Sequence, residues 1–155
     1  MTYKNIMLAI DGSNVSNAAV EEINRLTKGK RIHLRVVHVV DEKMVYCGGP
    51  GFDHSLIINS LKEEGAEVLE SAVKIIEKQS AIKVEKFLLE LKVFRETIAD
   101  MIVAEAADWP ADLLVIGSHG RRGFSHFFLG SVAEQVVRNA TIPVLIVRSS
   151  NELKQ

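Results

Sequence analysis

Little in this 155-residue chain points toward a membrane, a nucleic acid or a disulfide framework. Its one cysteine, Cys47, cannot close an internal disulfide, so a reducing compartment fits best. The formal net charge is −1, which gives no electrostatic footprint for nucleic acid or an anionic lipid surface. No apolar stretch approaches the length of a bilayer-spanning helix. The opening MTYKNIMLAIDGS has a single lysine and a short apolar run, without the longer apolar core and small-residue cleavage site of a signal peptide. The expected location is the cytoplasm.

Several motifs are missing too. There is no G-x-x-x-x-G-K-[ST]: Gly29-Lys30 lacks the upstream glycine and the following hydroxyl. No G-x-G-x-x-G follows the first apolar run, which argues against a nicotinamide dinucleotide site. His119 and His126 stand seven positions apart with no cysteine or acidic partner at metal-ligand spacing, so they read as loop and helix-start residues. Nothing basic adjoins Cys47 to activate its thiol, and it reads as incidental. There is no internal repeat and no low-complexity segment.

What is present is an ordinary globular composition, 47% apolar and 25% charged, in a length suited to one domain. Ile6–Ile10 reads as a strand, closed by the turn and helix-start signal Asp11-Gly12-Ser13. Ala18, Ala19, Ile23 and Leu26 recur at helical spacing and Gly29 supplies a stop. Ile32–Val40 is a second strand, rich in β-branched residues. Cys47-Gly48-Gly49-Pro50-Gly51 breaks both patterns, making Asp41–Ser55 a loop. Its length suggests a functional segment or mobile lid. A long helix over Leu56–Gln79, a strand within Ala81–Val93, a helix over Thr97–Ala107 and a strand over Ala111–Ile116 follow. Ser131–Arg138 is helical and Val144–Val147 is the fifth strand. This βαβαβαβαβ alternation predicts a mostly parallel five-stranded sheet with helices on both faces. Strand orders 2-1-3-4-5 and 3-2-1-4-5 both remain open on periodicity alone. Residues 1–148 form the expected domain, and 149–155 a polar tail.

The most informative stretch is LLVIGSHGRRGFSHFFLGSVAEQVVRNATIPVLIVR, from Leu113 to Arg148. It reads as a strand ending at Gly117, a basic glycine-containing loop, and a helix opening at Gly130-Ser131. Small residues let backbone N–H groups approach an anion, and a helix N-terminus offers unpaired donors. Gly117, Gly120, Gly130 and the Ser131 hydroxyl therefore read as a phosphate cradle. Arg121 and Arg122 make the loop basic, and arginine's planar fork suits phosphate oxygens. Asp11 can accept hydrogen bonds from a base or ribose, or help position a divalent metal. Plainer roles exist for each: Asp11 as a turn or capping residue, the glycines as positive-φ positions, Ser131 as a helix cap. No general base stands beside the proposed phosphates, so dedicated phosphoryl-transfer turnover is not indicated.

The spacing Gly117-x2-Gly120-x9-Gly130-Ser131 resembles the nucleotide-binding motif of the universal stress protein family, in its ATP-holding subfamily. Ala9-Ile10-Asp11-Gly12-Ser13 and Pro143-Val144-Leu145-Ile146-Val147-Arg148 extend the resemblance to both ends of the chain. The resemblance implies strand order 3-2-1-4-5 in a Rossmann-like, adenine nucleotide alpha hydrolase-like fold. It implies ATP, AMP or another adenine nucleotide, with Mg2+ or Mn2+. Asp11 would contact the nucleoside side, and Ala9, Ile10, Val39, Ile116 and Val132 would supply backbone contacts or apolar walls. Val144–Val147 would pair two copies into a homodimer that regulates a stress response through a protein partner still to be named. The competing expectations are a slow metal-dependent ATPase or nucleotidyl-transfer enzyme, and a nucleotide-free dimeric adaptor.

Overall fold

The first strand, β1 (Asn5–Ala9), is buried from Ile6 onward, and its alternation sends neighbouring side chains to opposite faces of a sheet. In the computed structural model, residues 2–120 and 128–149 are described. The chain continues through α1 (Asn14–Thr27), β2 (His33–Asp41), a 3-10 turn (Val45–Cys47) and α2 (His54–Gln79). Then come β3 (Lys83–Leu91), α3 (Ile98–Asp108), β4 (Leu113–Gly117), α4 (Ser131–Asn139) and β5 (Val144–Val147). Every strand pairing is parallel and the order is β3-β2-β1-β4-β5. Of the two orders left open by periodicity, the one implied by the resemblance is the one found.

The sheet is covered on both sides. Ile6, Leu8, Leu34, Val36 and Val115 pack with Ala19, Ile23, Leu69, Ala72 and Ile76 of α1 and α2. Met7, Ala9, Val37, Leu114 and Ile116 pack on the other face with Ala99, Ile102, Ala106 and Val136 of α3 and α4. The central strands are thus apolar on both faces, as a parallel sheet between two helix layers requires.

The structure redraws several boundaries. Asp53 accepts a hydrogen bond from the Leu56 N–H at 3.1 Å and caps α2, which therefore starts at His54 rather than Leu56. The stretch expected to be loop also contains the Val45–Cys47 turn, anchored by buried Val45. β3 is shorter than Ala81–Val93, and β4 reaches Gly117. Gly29 takes φ +71 directly after α1, the positive-φ stop its position suggested. A further requirement was invisible in the sequence: a Cβ on Gly65 would lie 2.7 Å from Leu88 Cδ1 and 2.8 Å from the His38 ring. A side chain at residue 65 would force Leu88 and His38 to shift where α2 seats on the sheet.

Candidate functional site

β1 and β4 are neighbours in register, with Ala9 opposite Ile116, so the segments that follow them leave the sheet side by side. One leads into α1 and the other toward α4, which lie on opposite faces. This is the point where the strand order reverses and where doubly wound sheets open a crevice. Asp11 and the glycines of the later segment meet there.

Asp11 is held in a tight turn. Its Oδ1 accepts the Ser13 N–H at 2.9 Å, and its own N–H donates to Ser16 Oγ at 3.2 Å. Its Oδ2 lies 2.8 Å from the position a Cβ on Gly120 would take. A Cβ on Gly117 would come 2.9 Å from Val15 Cγ1, and one on Gly130 would sit 3.3 Å from both His119 Cα and Ser118 O. The Gly130 N–H donates to Ser118 O at 2.8 Å. None of these three glycines adopts positive φ, so their requirement here is closeness of approach. The turn role weighed for Asp11 is real, and it leaves Oδ2 directed to Gly120.

Gly130 is the N-cap of α4 and Ser131 is its first helical residue, which corrects the reading of Ser131 as the cap. Gly130 has no side chain with which to cap it, and among the described residues no side-chain cap bond is formed. The other three long helices are each capped: α1 by Ser13, α2 by Asp53, and α3 by a reciprocal pair of Thr97 and Asp100. α4 therefore presents first-turn N–H donors beside exposed Ser131 and the backbone of Gly120.

The apolar residues divide by face. Ala9 and Ile116 are buried in the α3–α4 layer, with half-buried Val39 and Val132 packed against the same cluster. Ile10 turns its side chain into the opposite core, so only its backbone borders the crevice. Its carbonyl accepts a hydrogen bond from His38 Nδ1 at 2.9 Å. His38 was not foreseen, because nothing local in β2 marks a residue that ties down the end of β1.

Val39 lies on the β2 edge that faces β1. His33 N–H bonds Lys4 O and Ile10 N–H bonds Val37 O, so odd-numbered β2 residues direct their backbone groups at β1. The β1 pairing ends at Ala9 opposite Val37. Val39, next in that series, directs its backbone groups to the same side, at the level of Ile10 just past the end of β1. Arg121, together with Arg122 and His126, lies outside the described residues.

Two hollows flank this arrangement. One of about 310 Å³ lies between α1 and α2, bordered by Gly12, Asn17, Glu67 and Ser71, on the face away from Val39 and α4. The other, about 140 Å³, lies between Ser118, His119, Phe128, Leu129 and Arg148. Ser118 Oγ and His119 Nδ1 stand 2.9 Å apart there. Among the described residues no group of three His, Cys, Asp or Glu side chains could hold a metal ion. A divalent ion at this crevice would need oxygens from a phosphate ligand in addition to Asp11, a division that suits Mg2+.

Such a geometry, a parallel sheet of order β3-β2-β1-β4-β5 with helices on both faces and a crevice at its switch point, defines a doubly wound, Rossmann-like α/β domain. The chain belongs to the universal stress protein family, whose family model matches residues 2–148. It is 36% identical over 147 residues to universal stress protein MJ0531 of Methanocaldococcus jannaschii, covering 94% of this chain and 82% of that protein. The solved structure of hypothetical protein MJ0577 superposes with a TM-score of 0.85 at 26% identity, covering 97% of this chain and 99% of the other. The universal stress protein from Archaeoglobus fulgidus in complex with dAMP superposes with a TM-score of 0.63 at 27% identity, covering 95% and 99%. No helix among the described residues is long and apolar enough to cross a membrane.

Proposed function

We infer that this protein binds an adenine nucleotide, ATP foremost, between β1 and β4 and acts as a nucleotide-dependent regulator. The observation that carries the reading is α4's start: its N-cap is Gly130, which supplies no side-chain cap, and it packs against Ser118–Gly120, opposite Asp11. Phosphate oxygens would take the first-turn N–H groups of α4 and the Ser131 hydroxyl, where the helix dipole favours negative charge. Ala9, Ile116, Val39 and Val132 would wall the nucleoside, with Asp11 accepting from a ribose hydroxyl. The Val39 N–H would donate to adenine N1 and its C=O would accept from the 6-amino group. Guanine reverses both of those polarities. A Mg2+ or Mn2+ ion carried by the phosphates, with Asp11 nearby, would neutralise charge. The dAMP complex of the Archaeoglobus fulgidus relative supports an adenine nucleotide at this fold.

Homodimerisation through β5 belongs to the same reading. β5 pairs with β4 on one side, carries Val144, Leu145, Ile146 and Val147, and leaves all four only half-buried. Phe128 and Leu129 are exposed. An uncharged apolar edge strand next to such side chains invites pairing with a second copy. A cytoplasmic location fits the reading, and dedicated ATP turnover is not part of it.

Calorimetric titration with ATP, AMP and GTP in the presence of magnesium tests the proposal. Micromolar ATP binding is expected, with GTP weaker by a factor on the order of 10–100 because Val39's groups would be left mispaired. Absence of binding to ATP and AMP by the folded chain would overturn it.

A further inference from the structure

The peptide unit between Ile10 and Asp11 is gripped at both of its polar groups. Its C=O accepts a hydrogen bond from His38 Nδ1 at 2.9 Å, and its N–H donates to Ser16 Oγ at 3.2 Å. The flanking groups are tied as well. The Ile10 N–H donates to Val37 O at 3.0 Å, and Asp11 Oδ1 accepts the Ser13 N–H at 2.9 Å.

The bond from His38 stands where the sheet's own ladder stops. Pairing of β1 with β2 ends at Ala9 opposite Val37, and among the described residues no backbone N–H reaches the Ile10 carbonyl. Ile10 is buried, so that oxygen needs a partner from the protein. A side chain of β2 supplies it. His38 shares the α1–α2 face of the sheet with Leu34 and Val36, two and four positions earlier. Because a carbonyl only accepts, the imidazole carries a proton on Nδ1. The other edge of the ring is backed by α2: a Cβ on Gly65 would stand 2.8 Å from His38 Cδ2 and 3.3 Å from Nε2. Three elements therefore fix one peptide unit, β2 through His38, α1 through Ser16, and α2 by packing behind the imidazole.

That peptide unit sets where the Asp11 carboxylate stands. A binding group needs its geometry held to about 0.5 Å, and supporting hydrogen bonds and packing are what hold it. We propose that His38 is a positioning residue for nucleotide recognition: by holding the Ile10 carbonyl it aims Asp11 at the ribose, and so sets a preference for nucleotides that keep their ribose hydroxyls. The proposal rests on the reading of Asp11 as a ribose contact. His38 itself touches no part of the nucleotide.

Calorimetric titration of ATP and of 2′,3′-dideoxy-ATP, each with magnesium, into wild type, His38→Phe, His38→Leu and His38→Asn tests this. Wild type should favour ATP by a factor on the order of 10, as expected for one hydrogen bond to a charged group. His38→Phe and His38→Leu cannot donate to the Ile10 carbonyl, and should bring that ratio below about 3. His38→Asn places a side-chain N–H where Nδ1 was and should keep the wild-type ratio, with circular dichroism confirming the fold of each variant. A merely structural role would lower both affinities together and leave the ratio unmoved. A wild-type ratio near one, or a full ratio in folded His38→Phe and His38→Leu, overturns the proposal while ATP binding stands. Absence of ATP binding by wild type overturns the nucleotide reading, and this proposal with it.

Discussion

Helices α1 and α4 begin at the same crevice from opposite faces of the sheet, and they begin differently. α1 is closed by its own chain: Ser13 Oγ accepts the Ser16 N–H at 3.2 Å, and Asp11 Oδ1 holds the Ser13 N–H. α4 starts at Gly130, which has nothing to offer its first turn. A side-chain cap stabilises a helix by about 1 kcal/mol. That figure is measured against alanine; glycine at the cap costs α4 only roughly a few tenths of a kcal/mol, at a helix start that faces Gly120 and Ser118. A bound anion would offset that cost. On this comparison, α1 is a structural helix start and α4 the proposed ligand-binding one, so substitutions at the two should fail in different assays.

The largest effect is expected at Gly130. Aspartate is a good N-cap, so Gly130→Asp supplies α4 with an internal carboxylate where phosphate would sit. ATP affinity should fall at least ~100-fold, about 2.7 kcal/mol. The new Cβ, 3.3 Å from the backbone at residues 118 and 119, demands a small shift, and a thermal melt within a few degrees of wild type would show that it is absorbed. Next comes Gly120→Val, whose Cβ would press on Asp11 Oδ2 at 2.8 Å and displace that carboxylate. A loss of ATP affinity on the order of tenfold, read by the same titration, is expected from a mispositioned ribose contact.

Ser13→Ala sharpens the contrast from the other side. It should lower unfolding stability by about 1 kcal/mol in urea while changing ATP affinity less than twofold. The smallest effect concerns α3. Hydrogen bonds from the Thr97 hydroxyl and N–H, at 2.8 and 2.9 Å, hold the Asp100 carboxyl below its usual range. A lowered folded-state pKa contributes stability above the unfolded value and loses it as pH falls through the folded one. The stability gap between wild type and Asp100→Asn should therefore be full at neutral pH and close in acid, below about pH 4. A gap that persists unchanged into acid would show that the pairing contributes nothing through its charge.

Much of this arrangement was legible in the sequence. The element series followed from periodicity, because buried parallel strands and amphipathic helices leave distinct patterns in Ile6–Ile10 and in Leu61 through Ile76. Strand order was not legible that way, since apolar runs do not record which neighbour they pair with, and the family resemblance was needed. The expected association of Asp11 with Gly117, Gly120 and Gly130 could be read from the switch-point rule once the order was chosen. Their tight packing could not, for it depends on Val15 and on backbone at residues 118 and 119. Gly65 and His38 escaped notice for the same reason. Their partners lie 23 and 28 positions away, at Leu88 and Ile10, and only the folded chain brings them together.

The central claim is that α4's open start is where phosphate binds. Its most direct test is a parallel calorimetric titration of ATP and of adenosine into wild type and Gly130→Asp. The account predicts that wild type binds ATP far more tightly than adenosine, and that the substitution removes this difference while leaving weak adenosine binding in place. Equal ATP affinity in the two folded proteins would contradict it.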